Sequence, residues 1–301
     1  MLFSSFLVLL SLARRGFAAE GQIPVVDGVV GGVPSSGSGF KANVEAVVPQ
    51  ATTPGALRVT AQNSGICETT PGVASASGYG DLTATQSIFF WYFAARNSPS
   101  TAPVTLWFNG GPGSSSMIGL LQELGPCRIN NDTTSVSLNP WSWSTNSHII
   151  FIDQPVGVGF SHGDTKVGTS QQAAADVWSF LQIFFKDSRF SALAKRNLAI
   201  WTESYGGHYG PTFAAYVVAV QYCDQNTQIA SGKISGIPLN LKVLGVGDGL
   251  TDPLAQYQGY IEYAASNPYH PLVSQTILDR GNTSWTQAGG CRDQVCLEHS
   301  S

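Results

Sequence analysis

Ser204 lies at the seam between an apolar run and a helical pattern. Asn197-Leu-Ala-Ile-Trp201 reads as a buried strand, and it passes directly into Thr202-Glu-Ser-Tyr-Gly-Gly207. His208 to Gln221 then carries Phe213, Ala214, Val217, Val218 and Val220 at roughly helical spacing. A serine on a tight strand-to-helix turn projects its hydroxyl outward, and the helix N-terminus next to it favours negative charge there. The fit to such a nucleophile turn is incomplete, because the position two before Ser204 is Thr202 rather than the usual Gly. A serine that merely caps a buried helix is the competing reading.

Gly159-Phe-Ser-His-Gly163 matches the literal G-x-S-x-G spelling better than the Ser204 segment does. Its surroundings differ. The strand-like run His148 to Asp153 is separated from Ser161 by Gln154-Pro-Val-Gly-Val158, and the next helical pattern begins only at Gln171. A nucleophile turn needs strand and helix on either side, so Ser161 is read as a structural loop residue.

The rest of the chain alternates in the same way. Ile88 to Ala94, Val104 to Phe108, Ile149 to Asp153 and Leu241 to Val246 read as strands, Met117 to Leu124 as a short helix. Gln171 to Phe185 is an amphipathic helix with Ala174, Val177, Trp178, Leu181, Phe184 and Phe185 on one face. Strands alternating with helices predict an α/β fold with a mostly parallel sheet and a site at the strand C-termini. Residues 20 to 60 are rich in Val, Gly, Ser and Pro with weak periodicity and read as an extended arm; no internal repeat is visible.

A chain of 301 residues can bury an ample core as one large domain or two modest ones. Only 11% of residues are charged and the net charge is −4, so neither a nucleic-acid surface nor an acidic tail is indicated. Leu2 to Ala13 is the length of a signal-peptide core and too short to span a bilayer, with a cleavage site at Ala18 or Ala19. Residues 1–19 are therefore expected to be a signal peptide, with no membrane anchor. Five cysteines (Cys67, Cys127, Cys223, Cys291 and Cys296) fit an oxidising compartment, although an odd number cannot all pair within one chain. Their spacing gives no zinc pattern, and no metal or cofactor is expected. Sequons at Asn131 and Asn282 are candidate glycosylation sites that agree with export.

Four separated segments, in order, carry a resemblance. They are Trp107-Phe-Asn-Gly-Gly-Pro-Gly-Ser-Ser-Ser116, Ile152-Asp-Gln-Pro-Val-Gly-Val-Gly-Phe-Ser161, the Ser204 turn, and Gly247-Asp-Gly-Leu-Thr-Asp-Pro253. Together they resemble the serine carboxypeptidase family of α/β hydrolases, in its fungal form, from about Gly65 to Pro253 and more weakly to Cys296. The resemblance implies a secreted or vacuolar enzyme that releases C-terminal residues from peptides or proteins through a Ser204 acyl-enzyme. It also implies oxyanion donors at the Gly111 and Tyr205 N–H groups, since rigid backbone amides suit a developing oxyanion. Asn109, the Gly110 N–H, Glu123 and Glu203 match the residues that grip the substrate's terminal carboxylate. Two carboxyls facing a third must share protons, so binding is expected to be tightest at acidic pH. By itself, Asn109 to Gly113 also reads as a plain tight turn and Glu123 as a solvated helix-end charge. Two departures from the family pattern are Ser114, where many members carry Cys, and Asp248, where Asn is commoner.

A serine hydrolase also needs a histidine base and an acid to orient it, and in α/β hydrolases both come after the nucleophile. After Ser204 come only His208, on the helix of the turn itself, His270, in Asn267-Pro-Tyr-His-Pro271, and His299. None has the expected strand-end setting. The resemblance thus implies a hydrolase core over 20–251 and the start of a helical cap insertion over 252–301, incomplete, with the triad Asp and His missing. A non-catalytic relative that binds peptide C-termini, and an esterase or acyltransferase on the same scaffold, are the alternatives.

Overall fold

The computed structural model describes residues 25–26, 29–30, 52–218 and 225–299. The expected signal peptide, most of the expected arm, Cys223 and the last turn expected of the Ser204 helix lie outside these residues. β1 (Val25–Val26) and β2 (Val29–Val30) form a small antiparallel pair. The main sheet is built from β3 (Leu57–Gln62), β4 (Ser75–Asp81), β5 (Gln86–Phe93) and β6 (Val104–Phe108). A hairpin of β7 (Cys127–Ile129) and β8 (Val136–Leu138) stands apart, and β9 (His148–Ile152), β10 (His162–Gly163), β11 (Leu198–Glu203) and β12 (Leu241–Gly247) complete the sheet.

The sheet order is β12-β11-β6-β9-β5-β4-β3, with β10 added beside β5. β12, β11, β6 and β9 run parallel, whereas β5, β4, β3 and β10 pair antiparallel. The parallel strands carry the motif loops. All five residues of β6 and of β9 are buried, the continuous burial typical of strands covered on both faces. Side chains alternate accordingly on β5: Ile88, Phe90 and Tyr92 face one layer, Phe89 and Phe93 the other.

The first layer is helical. α1 (Ser170–Lys186) is capped by the Thr169 hydroxyl, which accepts the Gln172 N–H, and Lys186 sits in its last turn. It buries Ala173, Ala174, Val177, Phe180, Leu181, Phe184 and Phe185. Phe184 stacks on Phe190 at 4.2 Å and meets Phe90 edge-on at 5.3 Å. Each such ring stabilises the fold by roughly 1.5–3 kcal/mol through burial. α2 (Gly206–Val218) comes after β11, and the short α3 (Gln225–Ala230) precedes β12. The opposite layer packs Met117, Leu120 and Leu124 with Trp107 and the Cys67–Cys127 disulfide. α4 (Pro253–Ala265), α5 (Gln275–Thr286) and α6 (Cys291–His299) pack on one another, with Leu278 and Trp285 buried on α5. No helix among the described residues is long and apolar enough to cross a membrane.

Three elements differ from the sequence reading. Part of the expected arm is β3, an ordered sheet strand, and its partner β4 has no counterpart among the expected strands. β4 reads Ser-Ala-Ser-Gly-Tyr-Gly-Asp, poor in branched residues, because the sheet needs small ones there. A Cβ on Gly78 would lie 2.0 Å from the Arg58 carbonyl oxygen, and one on Gly80 would lie 2.6 Å from the Phe180 ring. The expected helix over Met117 to Leu124 is centred on a π turn, Gly119–Glu123.

Candidate active site

Ser204 joins β11 to α2 with φ of +55°, in the left-handed region. A non-glycine residue there costs on the order of 1–3 kcal/mol and persists only when its surroundings hold it. Here both of its peptide groups are held. Its N–H donates to Gly247 O at 3.1 Å, and its carbonyl accepts the Leu250 and Gly207 N–H groups at 2.7 and 2.9 Å. The side chain is exposed. Thr202, the mismatch in the motif, is accommodated: its hydroxyl donates to Gly206 O at 2.8 Å and so closes the turn. The room comes from Gly206, where a Cβ would lie 2.4 Å from that of Thr202.

Ser161 is a different kind of serine. It is buried, its hydroxyl donates to Asp153 O at 2.7 Å and accepts the Phe89 N–H at 2.7 Å, so it ties loop to strand. The Asp153 carboxylate continues the bracing, accepting Ser115 Oγ at 2.6 Å and the Ser116 and Phe160 N–H groups at 2.9 Å each.

β6 lies beside β11 in parallel register, Phe108 opposite Thr202, which sets Asn109 beside Glu203. The loop after β6 presses on the Ser204 turn. A Cβ on Gly110 would meet Tyr205 N at 2.4 Å, Glu203 O at 2.6 Å and Ser204 Cβ at 2.9 Å. Gly111 then adopts φ of +106°, and its bond to Pro112 is cis. Among the described residues, neither the Gly111 N–H nor the Tyr205 N–H has a hydrogen-bond partner. A cavity of about 250 Å³ opens beside them, between Pro112, Gly113, Thr169, Ala173, Tyr205 and Tyr209.

Asn109 is 2% exposed, and its orientation is set by its partners. Its Oδ1 accepts Trp107 Nε1–H at 2.8 Å and the Gly119 N–H at 2.9 Å, which turns Nδ2 toward Glu203 Oε1 at 2.6 Å. Glu123, at the end of the π turn, joins the same group. Burial pushes its carboxyl pKa up, the charge of Glu203 and a hydrogen bond shared with it add to this, and Asp248 contributes a further like charge; a hydrogen bond with Asn109 opposes. Sequence reasoning misses Trp107 and Gly119, although Trp107, near the end of β6, stands two residues before Asn109, just past that strand. A Cβ on Gly119 would lie 2.2 Å from Trp107 Nε1.

No described histidine serves Ser204, whose hydroxyl has no hydrogen-bond partner among the described residues. His208 lies on α2 with its ring against Tyr205 at 4.7 Å. His270 sits in an exposed turn, Nδ1 3.0 Å from Pro271 O. His148 is buried at the start of β9 between the Tyr92 hydroxyl and Pro99 O. The side chain of His299 lies outside the described residues. No group of three or more His, Cys, Asp or Glu among the described residues is arranged to hold a metal.

Residues 65–296 match the family profile described as serine carboxypeptidase. The chain is 45% identical over 218 residues to carboxypeptidase S1 of Penicillium janthinellum, covering 72% of this chain and 50% of that one. It is 44% identical over 205 residues to carboxypeptidase Y of Schizosaccharomyces pombe, covering 68% of this chain and 20% of that one. Among solved structures it resembles Kex1(delta)p, a prohormone-processing carboxypeptidase from Saccharomyces cerevisiae, with a TM-score of 0.56 and 28% identity. That match covers 71% of this chain and 48% of the other. The chain thus spans half the length of the first relative and a fifth of the second. With its profile match, its mixed α/β sheet and its motif loops gathered at the ends of parallel strands, the chain belongs to the serine carboxypeptidase family.

Proposed function

We propose that this chain carries the nucleophile and the substrate-binding half of a serine-type carboxypeptidase. The observation that carries the reading is the Asn109–Glu203–Glu123 group built directly beside a left-handed, exposed Ser204. Ser204 Oγ attacks the carbonyl carbon of the last peptide bond as a base removes its proton. The carbonyl electron pair moves onto oxygen, where the Gly111 and Tyr205 N–H groups donate. Collapse breaks the C–N bond, the departing amine takes the proton, and water then releases the acyl group from Ser204. Asn109 Nδ2, the Gly110 N–H and protonated Glu123 donate to the free terminal carboxylate, with Glu203 beside them accepting from Asn109. Neither His208, whose ring lies against Tyr205, nor His270, in an exposed turn, is placed to act as this base. The same reading makes residues 1–19 an export signal, 20–251 hydrolase core and 252–301 part of a helical cap. Its destination is secreted or vacuolar. Asn131 and Asn282, both exposed, are then acceptors for glycosylation.

The test is a fluorophosphonate probe on the full-length protein followed by peptide mapping. The expected label is on Ser204, and Ser204→Ala is expected to lose on the order of 10⁴–10⁶-fold in kcat. Label on Ser161, or activity that persists in Ser204→Ala, overturns the assignment. A second reading rests on the partnerless Ser204 hydroxyl: the 301 residues alone bind peptide C-termini without turnover. Calorimetry with a peptide in its free-acid and amidated forms separates the two, binding without hydrolysis favouring the second.

A further inference from the structure

Glu123 ends a five-residue π turn that has no side-chain cap, yet it must reach Glu203 and Asn109. The segment just after Glu123 is unusually well held. The Leu124 carbonyl accepts the Trp143 N–H at 3.0 Å and the Ser142 hydroxyl at 3.0 Å. The Gly125 carbonyl accepts Asn139 Nδ2 at 2.9 Å. The Pro126 carbonyl accepts the Asn139 N–H at 2.7 Å and Arg96 Nη2 at 3.2 Å. Arg96 further donates Nη1 to Asn139 O at 2.7 Å and Nε to Glu68 Oε2 at 2.9 Å. Glu68 in turn accepts the Thr70 N–H at 2.9 Å on its other oxygen. The two neighbours Cys67 and Glu68 therefore grip the two neighbours Pro126 and Cys127, one by the disulfide and one through Arg96.

The pair is deeply placed, with side chains 11% exposed for Arg96 and fully covered for Glu68. Burying an ion pair is a poor route to stability, because desolvation offsets most of the attraction and apolar replacements are often neutral or better. Its distinctive property is geometric: a planar guanidinium fixes three acceptors in one arrangement. Here those acceptors are the Glu68 carboxylate, the Pro126 carbonyl in the segment after Glu123, and the carbonyl of Asn139, which itself donates to that segment. We propose that Arg96, held by Glu68, is a positioning residue that aims Glu123 at the substrate's terminal carboxylate and takes no part in acyl transfer. This rests on the carboxylate-binding reading given above.

A matched control exists on the main sheet. Arg58 pairs with Asp81 at 2.8 Å, with side chains 18% and 0% exposed, and belongs to no part of the site. In the full-length protein, steady-state kinetics would compare a peptide bearing a free C-terminal carboxylate with its C-terminal amide. Arg96→Met is expected to raise KM for the free acid about tenfold or more, the scale of losing charged hydrogen bonds, with kcat little changed. Selectivity for acid over amide should fall equally. Arg96→Lys, which keeps the charge but cannot span all three acceptors, should fall between, and Glu68→Gln, which keeps an acceptor, should retain most of the selectivity. Arg58→Met should lose stability and leave KM alone. An unchanged KM in Arg96→Met, an equal rise for acid and amide, or the same effect from Arg58→Met overturns the proposal. Titration of the Glu123 carboxyl by NMR separates this from a failure of the functional reading. A wild type without preference for the free acid sinks the carboxylate site, whereas a Glu123 pKa that drops in Arg96→Met still supports positioning, and one that stays put overturns it.

Discussion

Partial burial, the charge of Glu203 and a hydrogen bond shared with it, and the Asp248 charge all push the Glu123 carboxyl pKa up, and on the proposed reading a proton there is what lets an acidic site bind a carboxylate. The sign is definite. A raised carboxyl pKa means that the stabilisation tied to the protonated form is complete below the ordinary glutamate range and is lost as pH rises through the raised value. Affinity for a free-acid peptide takes the same course, because an ionised Glu123 repels the ligand. KM is therefore expected to climb with pH across that window in the wild type. Glu123→Gln keeps an N–H donor at every pH, so its KM should vary little there; an undiminished climb in that variant would remove Glu123 from the role. Asn109 and Glu203 stand inside the quoted motif segments, whereas Glu123 lies outside all of them and comes in only through the family resemblance. The partners that orient Asn109 are not legible, because Trp107 and Gly119 act through a bond and a close approach that no spacing announces.

At the level of elements, the site is a contact between two strand ends. The loop after β6 and the turn after β11 touch at Gly110, where backbone atoms of Glu203 and Tyr205 leave no space for a methyl group. Gly110→Ala must push the loop or the turn aside, and a displacement near 1 Å costs roughly 10²-fold in rate. The fluorophosphonate labelling rate of Ser204 in the full-length protein is expected to fall by that order, with the far-ultraviolet circular dichroism unchanged. A variant that labels at the wild-type rate would show that the two ends are not rigidly coupled. The strands and the long helix α1 are readable because burial on both faces, or on one stripe, leaves a pattern. β4 is not, since its small residues answer to Arg58 and Phe180, which lie far away in sequence.

On the scale of the molecule, β12 is the weak margin. Among the described residues it pairs only with β11, and Val243, Leu244 and Val246 are 44%, 41% and 38% exposed. An apolar edge strand with open backbone groups is a template for association. The 301-residue chain, purified alone, is expected to bind a hydrophobic dye and to self-associate with rising concentration in size-exclusion chromatography. A monodisperse, dye-silent monomer would refute this. The apolar composition of β12 predicts a buried strand, whereas its exposure depends on what stands beside it, and that is a tertiary fact. The sequence alone determined the alternation of strands and helices, the exposed serine at a strand end and the order of the motif loops. Those properties are local, written in residues adjacent in the chain. Only the tertiary structure decided that β6 and β11 lie side by side, that Glu123 meets Glu203, and that Arg96 reaches the segment behind it. Each of those contacts joins positions far apart in the chain, and its energy depends on burial and angle that no single segment can specify.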